Sequence, residues 1–482
     1  MRFASRSRWI ALCAVLGAAL LAASVARAGA VQQKSLFLGA LGPVGIAVDG
    51  AGRLHVSWES RDHHLHYTRI ERGKKLDQVV DATSACGAWS SIALDSAGQP
   101  HIAYHAARTS SGPGQLAYAH FDGAQWHVES LADGGYGTAI AIDAQDRPHI
   151  VHSSRATQLF EHRFLDDTGW HGEMPAGFRV SAVRSLSLAL DSAGYAHVGM
   201  LSDVDHPVYA TNATGDWVAT ELFDGSSAAA SLALDSLEHP HVGLALADTG
   251  TVVHSHFDGS QWLSEDLYDP NDSPAGTQIL PFSAALALDA HDRPQMLFKI
   301  RVIQGLRSAD FVFDAYHDGN EWIGIPLSKR GAADWARLAI DGNGVAHAVY
   351  GTAKGTASQV ARYARVGLPD VTGDWTSLVS SAAGGSSRVA AVLELRNVGL
   401  LKSKSAAIAL YLSGDALLDA TDQLVAFRSG TGGVAPGATR SVKISFIHTG
   451  SVSGLYLIAV IDPAGRTDDL DRLNDVVAGQ LQ

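Results

Sequence analysis

Ser91-Ile-Ala-Leu-Asp-Ser-Ala-Gly-Gln-Pro-His-Ile-Ala-Tyr104 is one copy of a motif that occurs seven times in the chain. The motif aspartates follow one another at intervals of 46, 48, 48, 44, 54 and 52 residues: Asp49, Asp95, Asp143, Asp191, Asp235, Asp289 and Asp341. Alternating apolar residues in the second copy predict strands at Ile92–Asp95, His101–Tyr104, Leu116–Phe121 and Trp126–Leu131. A period of about 40–55 residues built from four short strands is typical of β-propeller blades.

The residue two before each aspartate is alanine in all seven copies, and the residues on either side of it are Ile, Leu or Val. Because the side chains of a strand alternate between its two faces, one face of this strand is bulky and the other is small. Neighbouring blades pack face to face, and a large face against a small one permits close packing. The pattern therefore places this strand innermost in each blade.

The two ends of the repeat region are complementary. The last copy has candidate strands at Arg337–Ile340, His347–Tyr350 and Val360–Val366 but lacks a fourth. Gln33–Leu41 stands before the first copy at the spacing of a fourth strand. Pairing of the two ends removes open sheet edges. The sequence thus predicts an all-β protein with a seven-bladed β-propeller, residues 29–366, closed by an N-terminal strand.

A histidine stands six residues after the aspartate in every copy but one, where glutamine replaces it: His55, His101, His149, His197, His241, Gln295 and His347. Copies in different blades lie too far apart to share one metal ion at about 2 Å. We therefore expect each aspartate to cap its turn and each histidine to bond within its own blade. The sequence predicts no metal and no cofactor.

The repeats resemble bacterial extracellular propellers of the sialidase-like (BNR-like) and fucose-lectin-like groups. The resemblance covers residues 32–366 and depends on Ala-Leu-Asp-Ser-Ala-Gly-Gln-Pro-His-Ile and Tyr-Ala-His-Phe-Asp-Gly-Ala-Gln-Trp. Sialidase Asp-boxes read Ser-x-Asp-x-Gly-x-x-Trp, whereas alanine stands here two before the aspartate. The resemblance implies a propeller fold, and the alanine departs from the pattern of the enzymes.

After Val366 the periodicity ends. Candidate strands at Val389–Leu395, Ala406–Leu412, Arg440–Ile447 and Leu455–Ile461 predict an immunoglobulin-like sandwich over residues 367–482. This segment resembles the bacterial cell-adhesion-related (CARDB) domain in Leu-Arg-Asn-Val-Gly, Val-Ala-Pro-Gly, Gly-Leu-Tyr-Leu-Ile-Ala-Val-Ile-Asp and its acidic close. The resemblance implies an appendage for binding or spacing.

Residues 1–28 have the features of a cleaved signal peptide, with a basic start, an apolar run and Ala26-Arg27-Ala28 as the cleavage site. Cleavage removes four arginines and no acidic residue, which changes the formal charge from −13 to −17. An acidic, exported chain does not suit nucleic-acid binding. We expect a secreted, periplasmic or cell-surface protein, monomeric, without a membrane span, in which Cys86 is a buried thiol.

The sequence contains no P-loop, dinucleotide-binding glycine motif, His-Glu-x-x-His or Gly-x-Ser-x-Gly motif, and it identifies no catalytic residue. The main hypothesis is a non-catalytic extracellular protein that recognises a glycan, a peptide or a surface protein. The alternative is a secreted polysaccharide hydrolase or lyase with a sialidase-like propeller. Carboxylates that converge in one concave site would favour the enzyme, because glycoside chemistry uses pairs of them.

Loop lengths predict which propeller face binds. The turn after each aspartate has constant length. The segment from the tryptophan at the start of the fourth strand, such as Trp126, to the next motif aspartate varies from 17 to 27 residues. The variable loops emerge on one face, and loops on a rigid scaffold often build sites. Trp89 and Trp335 stand six before their aspartates on this face, either as an aromatic platform or as packing between blades. The other candidate ligand-binding residues lie in or beside the extended loops: Arg108, Tyr268, Arg301 and Arg307.

Overall fold

The computed structural model describes residues 32–38, 42–71, 74–83, 85–107, 114–134, 136–153, 159–175, 179–180, 186–268, 276–317, 322–328, 332–342, 344–353, 359–367, 369–399, 402–463 and 475–481. The chain divides into two compact units. The first consists mainly of Gln32–Gly342 and Ala346–Arg365, and the second consists mainly of Val366–Gln482. The predicted signal peptide, residues 1–28, lies outside the described residues. In the described ranges, no helix has the length and apolar character needed to cross a membrane.

The described part of the first unit contains seven antiparallel sheets of four strands each. One strand precedes them in the chain, β1 (Gln32–Leu38). Sheet 1 contains β2 (Gly45–Val48), β3 (Leu54–Glu59), β4 (Leu65–Glu71) and β5 (Lys74–Asp81). Sheet 2 contains β6 (Ala85–Leu94), β7 (Pro100–Ala107), β8 (Gly114–Phe121) and β9 (Trp126–Asp133). Sheet 3 contains β10 (Tyr136–Ile142), β11 (Pro148–Ser153), β12 (Phe160–Asp166) and β13 (Gly169–Glu173).

The same order continues in the remaining sheets. Sheet 4 contains β14 (Ser187–Leu190), β15 (Ala196–Leu201), β16 (Pro207–Thr211) and β17 (Val218–Glu221). Sheet 5 contains β18 (Ser227–Leu234), β19 (Pro240–Leu246), β20 (Thr251–Phe257) and β21 (Trp262–Tyr268). Sheet 6 contains β22 (Thr277–Leu288), β23 (Pro294–Gln304), β24 (Arg307–His317) and β25 (Trp322–Ser328). Sheet 7 contains β26 (Ala332–Ile340), β27 (Ala346–Ala353), β28 (Gln359–Val366) and β1.

The all-β class is confirmed, and these four-stranded sheets resemble propeller blades. The first strands of consecutive sheets contact one another, and β26 of sheet 7 contacts β2 of sheet 1. Strand β1 pairs antiparallel with β28, from Gln32 opposite Arg365 to Leu38 opposite Val360. This is the pairing that the sequence predicts, although the strand begins one residue earlier, and residues 39–41 lie outside the described ranges.

The motif aspartate and histidine act within one sheet, as predicted. In sheet 1, Asp49 Oδ1 accepts hydrogen bonds from the backbone N–H groups of Ala51 at 3.0 Å and Arg53 at 2.8 Å. His55 Nε2 lies 3.4 Å from Asp49 Oδ2. The Tyr67 hydroxyl donates to His55 Nδ1 over 2.8 Å, a contact that the sequence does not predict. The turn and the second and third strands are thereby linked through one buried polar chain.

The second unit contains two antiparallel sheets in its described residues. One consists of β29 (Val371–Ala383), β30 (Ser386–Asn397) and β33 (Thr439–Thr449). The other consists of β31 (Ile408–Ser413), β32 (Gln423–Arg428), β34 (Tyr456–Ile461) and β35 (Val476–Gln480). Both sheets contribute buried side chains to one hydrophobic cluster, among them Val389, Leu393, Ile408, Leu410 and Leu457. The four strands predicted in this segment are present, and β29, β32 and β35 are additional.

Candidate functional site

A cavity of about 540 Å³ lies where the chain enters the first strands of sheets 1 to 7. This volume falls in the range of small-ligand sites. Most of its lining consists of glycine, alanine, serine, threonine, isoleucine and leucine. Three aromatic rings and, among the described lining residues, a single charged side chain complete it: Trp89, Phe282, Trp335 and Arg337. The cavity therefore offers ring faces, hydroxyl groups and one positive charge.

The first strands are irregular at this end. Strands β6, β10, β18, β22 and β26 each have a register shift before their regular pairing with the second strand begins. Such bulges redirect side chains and are common beside functional sites. Strand β6 has two shifts, one between Cys86 and Ala88 and one between Ala88 and Ser91, and the second spans Trp89. The irregular pairing places the Trp89 ring at the cavity wall.

Trp89 has an unusual backbone conformation. Its φ of 50° lies in the left-handed region, which residues other than glycine seldom adopt. The equivalent residue of sheet 3 is Gly137, with φ 60°, so glycine occupies the same conformation there. The Trp89 carbonyl accepts a hydrogen bond from the Thr138 hydroxyl, and the indole stacks on His105 with ring centroids 5.6 Å apart. Burial lowers the pKa of His105 to about 4, so the ring that supports Trp89 is neutral.

Trp335 borders the same cavity but is mostly buried. It is 6% exposed and belongs to a hydrophobic cluster with Val44, Trp58 and Tyr363. The packing role considered from the sequence thus describes most of this ring's surroundings. Trp89 is more exposed than Trp335 and is not part of that cluster.

Arg301 reaches the cavity lining through Phe282. Its guanidinium carbon lies 4.9 Å from the centroid of the Phe282 ring, and the same group pairs with Asp310 at 2.7 and 3.1 Å. Burial acts to raise the pKa of Asp310, but bonds and charges from Arg301 and Lys299 hold it below its ordinary value. Asp310 therefore fixes the guanidinium against the phenyl ring.

The other predicted site residues lie elsewhere. Arg307 is exposed at the start of β24. The expectation of an extended loop here is wrong, because β23 and β24 are 11-residue strands joined by a turn at Gly305 and Leu306. An apolar-rich run through β23 sustains the pairing. Arg108 lies outside the described residues, as does the side chain of Tyr268, which ends β21.

Arg337 is a lining residue outside the set of candidate ligand-binding residues predicted from the sequence. The equivalent residues of the other sheets are small: Gly45, Ser91, Ala139, Ser187, Ser231 and Ala285. Arg337 Nη1 donates to the Ala336 carbonyl over 2.9 Å, and among the described residues no carboxylate lies within ion-pairing distance of it. Burial lowers its pKa from 12.5 to about 10, so the guanidinium is charged at neutral pH. The sequence pattern that indicates this residue is a charged side chain at a position where the other six copies have glycine, alanine or serine.

Serines at this position link one sheet to the next. Ser187 Oγ accepts from the Leu232 N–H at 3.0 Å, and Ser231 Oγ accepts from the Leu286 N–H at 3.0 Å. A Cβ atom at Gly45 would lie 3.0 Å from the Ile92 nitrogen, so the position also borders the next sheet in sheet 1. In sheet 7, a cation replaces the hydroxyl acceptor and adds donors to the wall of the cavity.

No protein-family model matches the chain, and no curated protein matches it. The fucose-specific lectin from Aleuria aurantia is similar in structure, with 10% identity and a TM-score of 0.43 over 62% of this chain and 100% of that chain. AofleA from Arthrobotrys oligospora has 11% identity and a TM-score of 0.41 over 62% and 90% of the two chains. A fucose lectin from Kordia zhangzhouensis has 17% identity and a TM-score of 0.23 over 27% and 96%. Similarity at this level assigns neither a ligand nor a number of blades.

Proposed function

We propose that this is an exported, non-catalytic binding protein that holds an acidic glycan in the cavity bordered by Trp89, Phe282 and Arg337. The observation that carries the proposal is the charged Arg337, without a carboxylate partner among the described residues, in a cavity of about 540 Å³. A buried charge is stabilised by an opposite charge with matching hydrogen-bond geometry. A ligand carboxylate supplies both.

The remaining lining suits a sugar. The faces of aromatic rings pack against the apolar faces of pyranose rings, and Trp89 is the more exposed tryptophan at the cavity. Ser91, Ser187 and Ser231 line the same wall, where their hydroxyl groups already accept from backbone N–H groups of the next sheet, and Ser90 and Thr138 add two further hydroxyl residues. A planar guanidinium binds a carboxylate through two parallel hydrogen bonds. Uronic-acid and sialic-acid units combine these features in one residue.

The described lining residues favour binding over catalysis. They include serine and threonine hydroxyls and one guanidinium, but no carboxylate, imidazole or thiol. Glycoside hydrolysis needs two carboxyl groups on either side of the scissile bond. A hydrolase or lyase would therefore have to draw its acid and base from residues outside the described lining.

We further propose that sheets 1 to 7 are the blades of one seven-bladed propeller formed by residues 29–366, with residues 367–482 as an immunoglobulin-like, CARDB-type domain. The cyclic order of contacts between first strands and the β1–β28 pairing support the blade number. One core shared by two sheets supports the second domain. Limited proteolysis should cut near Gly367–Asp370 and leave two stable fragments, and unfolding of either fragment would contradict the division.

Export by residues 1–28 and a monomeric mature protein complete the proposal. The apolar run and cleavage site support secretion. N-terminal sequencing of protein recovered from the periplasm or the medium should begin at Gly29. Retention of residues 1–28 in the recovered protein would contradict this proposal.

A glycan array tests the ligand class. The purified mature protein should bind glycans that carry uronic or sialic acids and leave neutral glycans unbound. Chromatography of the bound glycans should recover them intact. Binding of neutral glycans only, or of peptides in a parallel array, would contradict the proposed ligand, and shortened glycans would favour the hydrolase or lyase.

A further inference from the structure

A second cluster of chemically capable side chains lies in sheet 5, away from the cavity. One ring nitrogen each of His254 and His256 and one carboxylate oxygen of Glu265 lie within 4.8 Å of one another. The two histidines are two residues apart on β20 and so lie on one face of the strand. Glu265 on β21 pairs directly with His254 in the sheet register. Antiparallel pairing therefore brings the three residues together.

Both histidines have a buried nitrogen without a hydrogen bond. His254 is 3% exposed, and neither its Nδ1 nor the Nδ1 of His256 has a partner among the described residues. An unpaired buried polar atom is unfavourable, and native proteins rarely leave one without a ligand or an ion. The rings of the two histidines stack with centroids 5.3 Å apart and an interplanar angle of 14°. Their Nδ1 atoms are thus available to a common ligand.

Contacts within the sheet hold the His254 ring. His241 Nε2 lies 3.7 Å from Asp235 Oδ2, and His241 Nδ1 lies 2.9 Å from His254 Nε2. The hydrogen bond between the two rings can have its proton on either nitrogen. With the proton on His254 Nε2, His254 Nδ1 has a lone pair that can bind a cation together with the Glu265 carboxylate.

Sheet 3 has the same histidine pair, but there the second histidine contacts a carboxylate directly. His149 Nδ1 lies 3.2 Å from His162 Nε2, and His162 Nδ1 lies 3.3 Å from Glu173 Oε2. There a proton bridges the imidazole and the carboxylate, and the hydrogen bond from His162 lowers the pKa of Glu173 to about 2. Phe164 occupies the place of His256. Sheet 5 instead has a third ligand residue and no direct hydrogen bond from His254 to Glu265.

We propose that His254, His256 and Glu265 form a binding site for one divalent transition-metal ion, with Zn²⁺ as the best-matched ion. Two imidazole nitrogens and one carboxylate are a zinc ligand set that leaves a fourth position for water. Imidazole ligands favour such metals over Ca²⁺ or Mg²⁺. The proposal revises the expectation of no metal, which considered only histidines in different blades.

Neighbouring groups orient the ligands. Trp322 Nε1 of sheet 6 donates to Glu265 Oε2 over 3.0 Å, and the Trp322 ring packs edge-on against His254 with centroids 5.5 Å apart. The chain from Asp235 through His241 holds the other side of His254. Outer partners of this kind fix ring orientation and raise ligand basicity. The ion would join β20 and β21 beside the boundary with sheet 6.

Metal titration of the mature full chain tests the site. After dialysis against a chelator, isothermal titration with Zn²⁺ should show one equivalent bound, and Co²⁺ should give the visible absorption of a four-coordinate complex. Two variants insert residues that other sheets already have, and so preserve packing: H256F copies Phe164 of sheet 3, and H254Y copies Tyr67 of sheet 1. Each should weaken Zn²⁺ binding by more than about 100-fold, because a direct ligand is lost.

A second group of three residues provides the control. His206, Glu221 and Asp224 also lie close together, but two of them are exposed and His206 Nδ1 already bonds Glu221 Oε1 at 3.0 Å. H206A should leave the affinity unchanged. Zn²⁺ should raise the thermal midpoint of the wild type and of H206A, but not of H256F. Absence of stoichiometric binding, or binding that H206A removes and H256F retains, would overturn the proposal.

Discussion

Replacement of Arg337 by serine should stabilise the protein. Burial lowers the pKa of Arg337 from 12.5 to about 10. Because one pKa unit corresponds to about 1.4 kcal/mol, this shift sets an upper limit of about 3 kcal/mol on the penalty, and the partial exposure of Arg337 at the cavity reduces it. Serine at this position would face the Ile46 N–H, as Ser187 faces Leu232, and such a bond contributes about 1 kcal/mol. Loss of the packed apolar stem of the arginine destabilises the variant by about 1 kcal/mol. The free energy of unfolding of R337S should therefore exceed that of the wild type by about 1–3 kcal/mol.

The sign of the pH dependence makes this prediction specific. The folded-state pKa lies below the unfolded value, so the penalty is fully present below pH 10 and fades as the pH rises toward 12.5. Scanning calorimetry should therefore show a higher thermal midpoint for R337S than for the wild type at pH 7, and a smaller difference above pH 10. As a control, S187A loses an existing bond between sheets and should be about 1 kcal/mol less stable. A lower midpoint for R337S at pH 7 would refute the reasoning, because Arg337 would then be a structural residue.

Three further predictions concern the fold and the cavity. Deletion of residues 29–41 should expose the edge of β28 and cause aggregation detectable by light scattering, whereas an unchanged monomer would contradict the closure. W89G, which copies Gly137, should be about 1 kcal/mol more stable than W89A because it relieves the left-handed φ, and both should lose ligand binding; equal melting would show that the backbone is unstrained. Burial raises the pKa of Asp314 to about 7. The contribution of this group to the free energy of unfolding should therefore be greatest below pH 4 and should fall as the pH rises to 7. Urea titrations at a series of pH values should show a smaller fall for D314N than for the wild type.

The sequence predicts the repeat architecture well because each copy has its own turn, hairpin and hydrophobic alternation. Local signals of this kind identify strands wherever the period is regular. The strands of sheet 2 are longer than predicted. The second strand, for example, is predicted at His101–Tyr104 and observed at Pro100–Ala107, because pairing with the neighbouring strands extends it beyond the apolar core. Strand β29 (Val371–Ala383) was not predicted because glycine, aspartate, threonine and serine interrupt its apolar alternation. Its pairing with β30 overrides that weak local preference.

The two candidate sites depend on contacts between copies, which a single repeat does not encode. Trp89 and Trp335 stand where the other copies have proline, glycine, alanine or serine, and Arg337 interrupts another series of small residues in the same way. The sequence does not predict that Arg337 has no carboxylate near it among the described residues, because that depends on the three-dimensional arrangement of the sheets. The histidine cluster was missed because His254 and His256 are not motif residues, and antiparallel register brings them to Glu265. Substitutions at positions that are otherwise regular were the available signal.

Calorimetric titration with a matched pair of ligands tests the central claim most directly. The pair consists of an acidic oligosaccharide identified on the array and the same molecule with its carboxylates reduced to alcohols. The wild type should bind the acidic form at least about 10-fold more tightly, since a hydrogen bond to a charged group contributes about 1.5–3 kcal/mol. R337S should bind both forms with equal, weak affinity. Equal affinity of the wild type for the two ligands, or a preference retained in R337S, would contradict recognition of a carboxylate by Arg337.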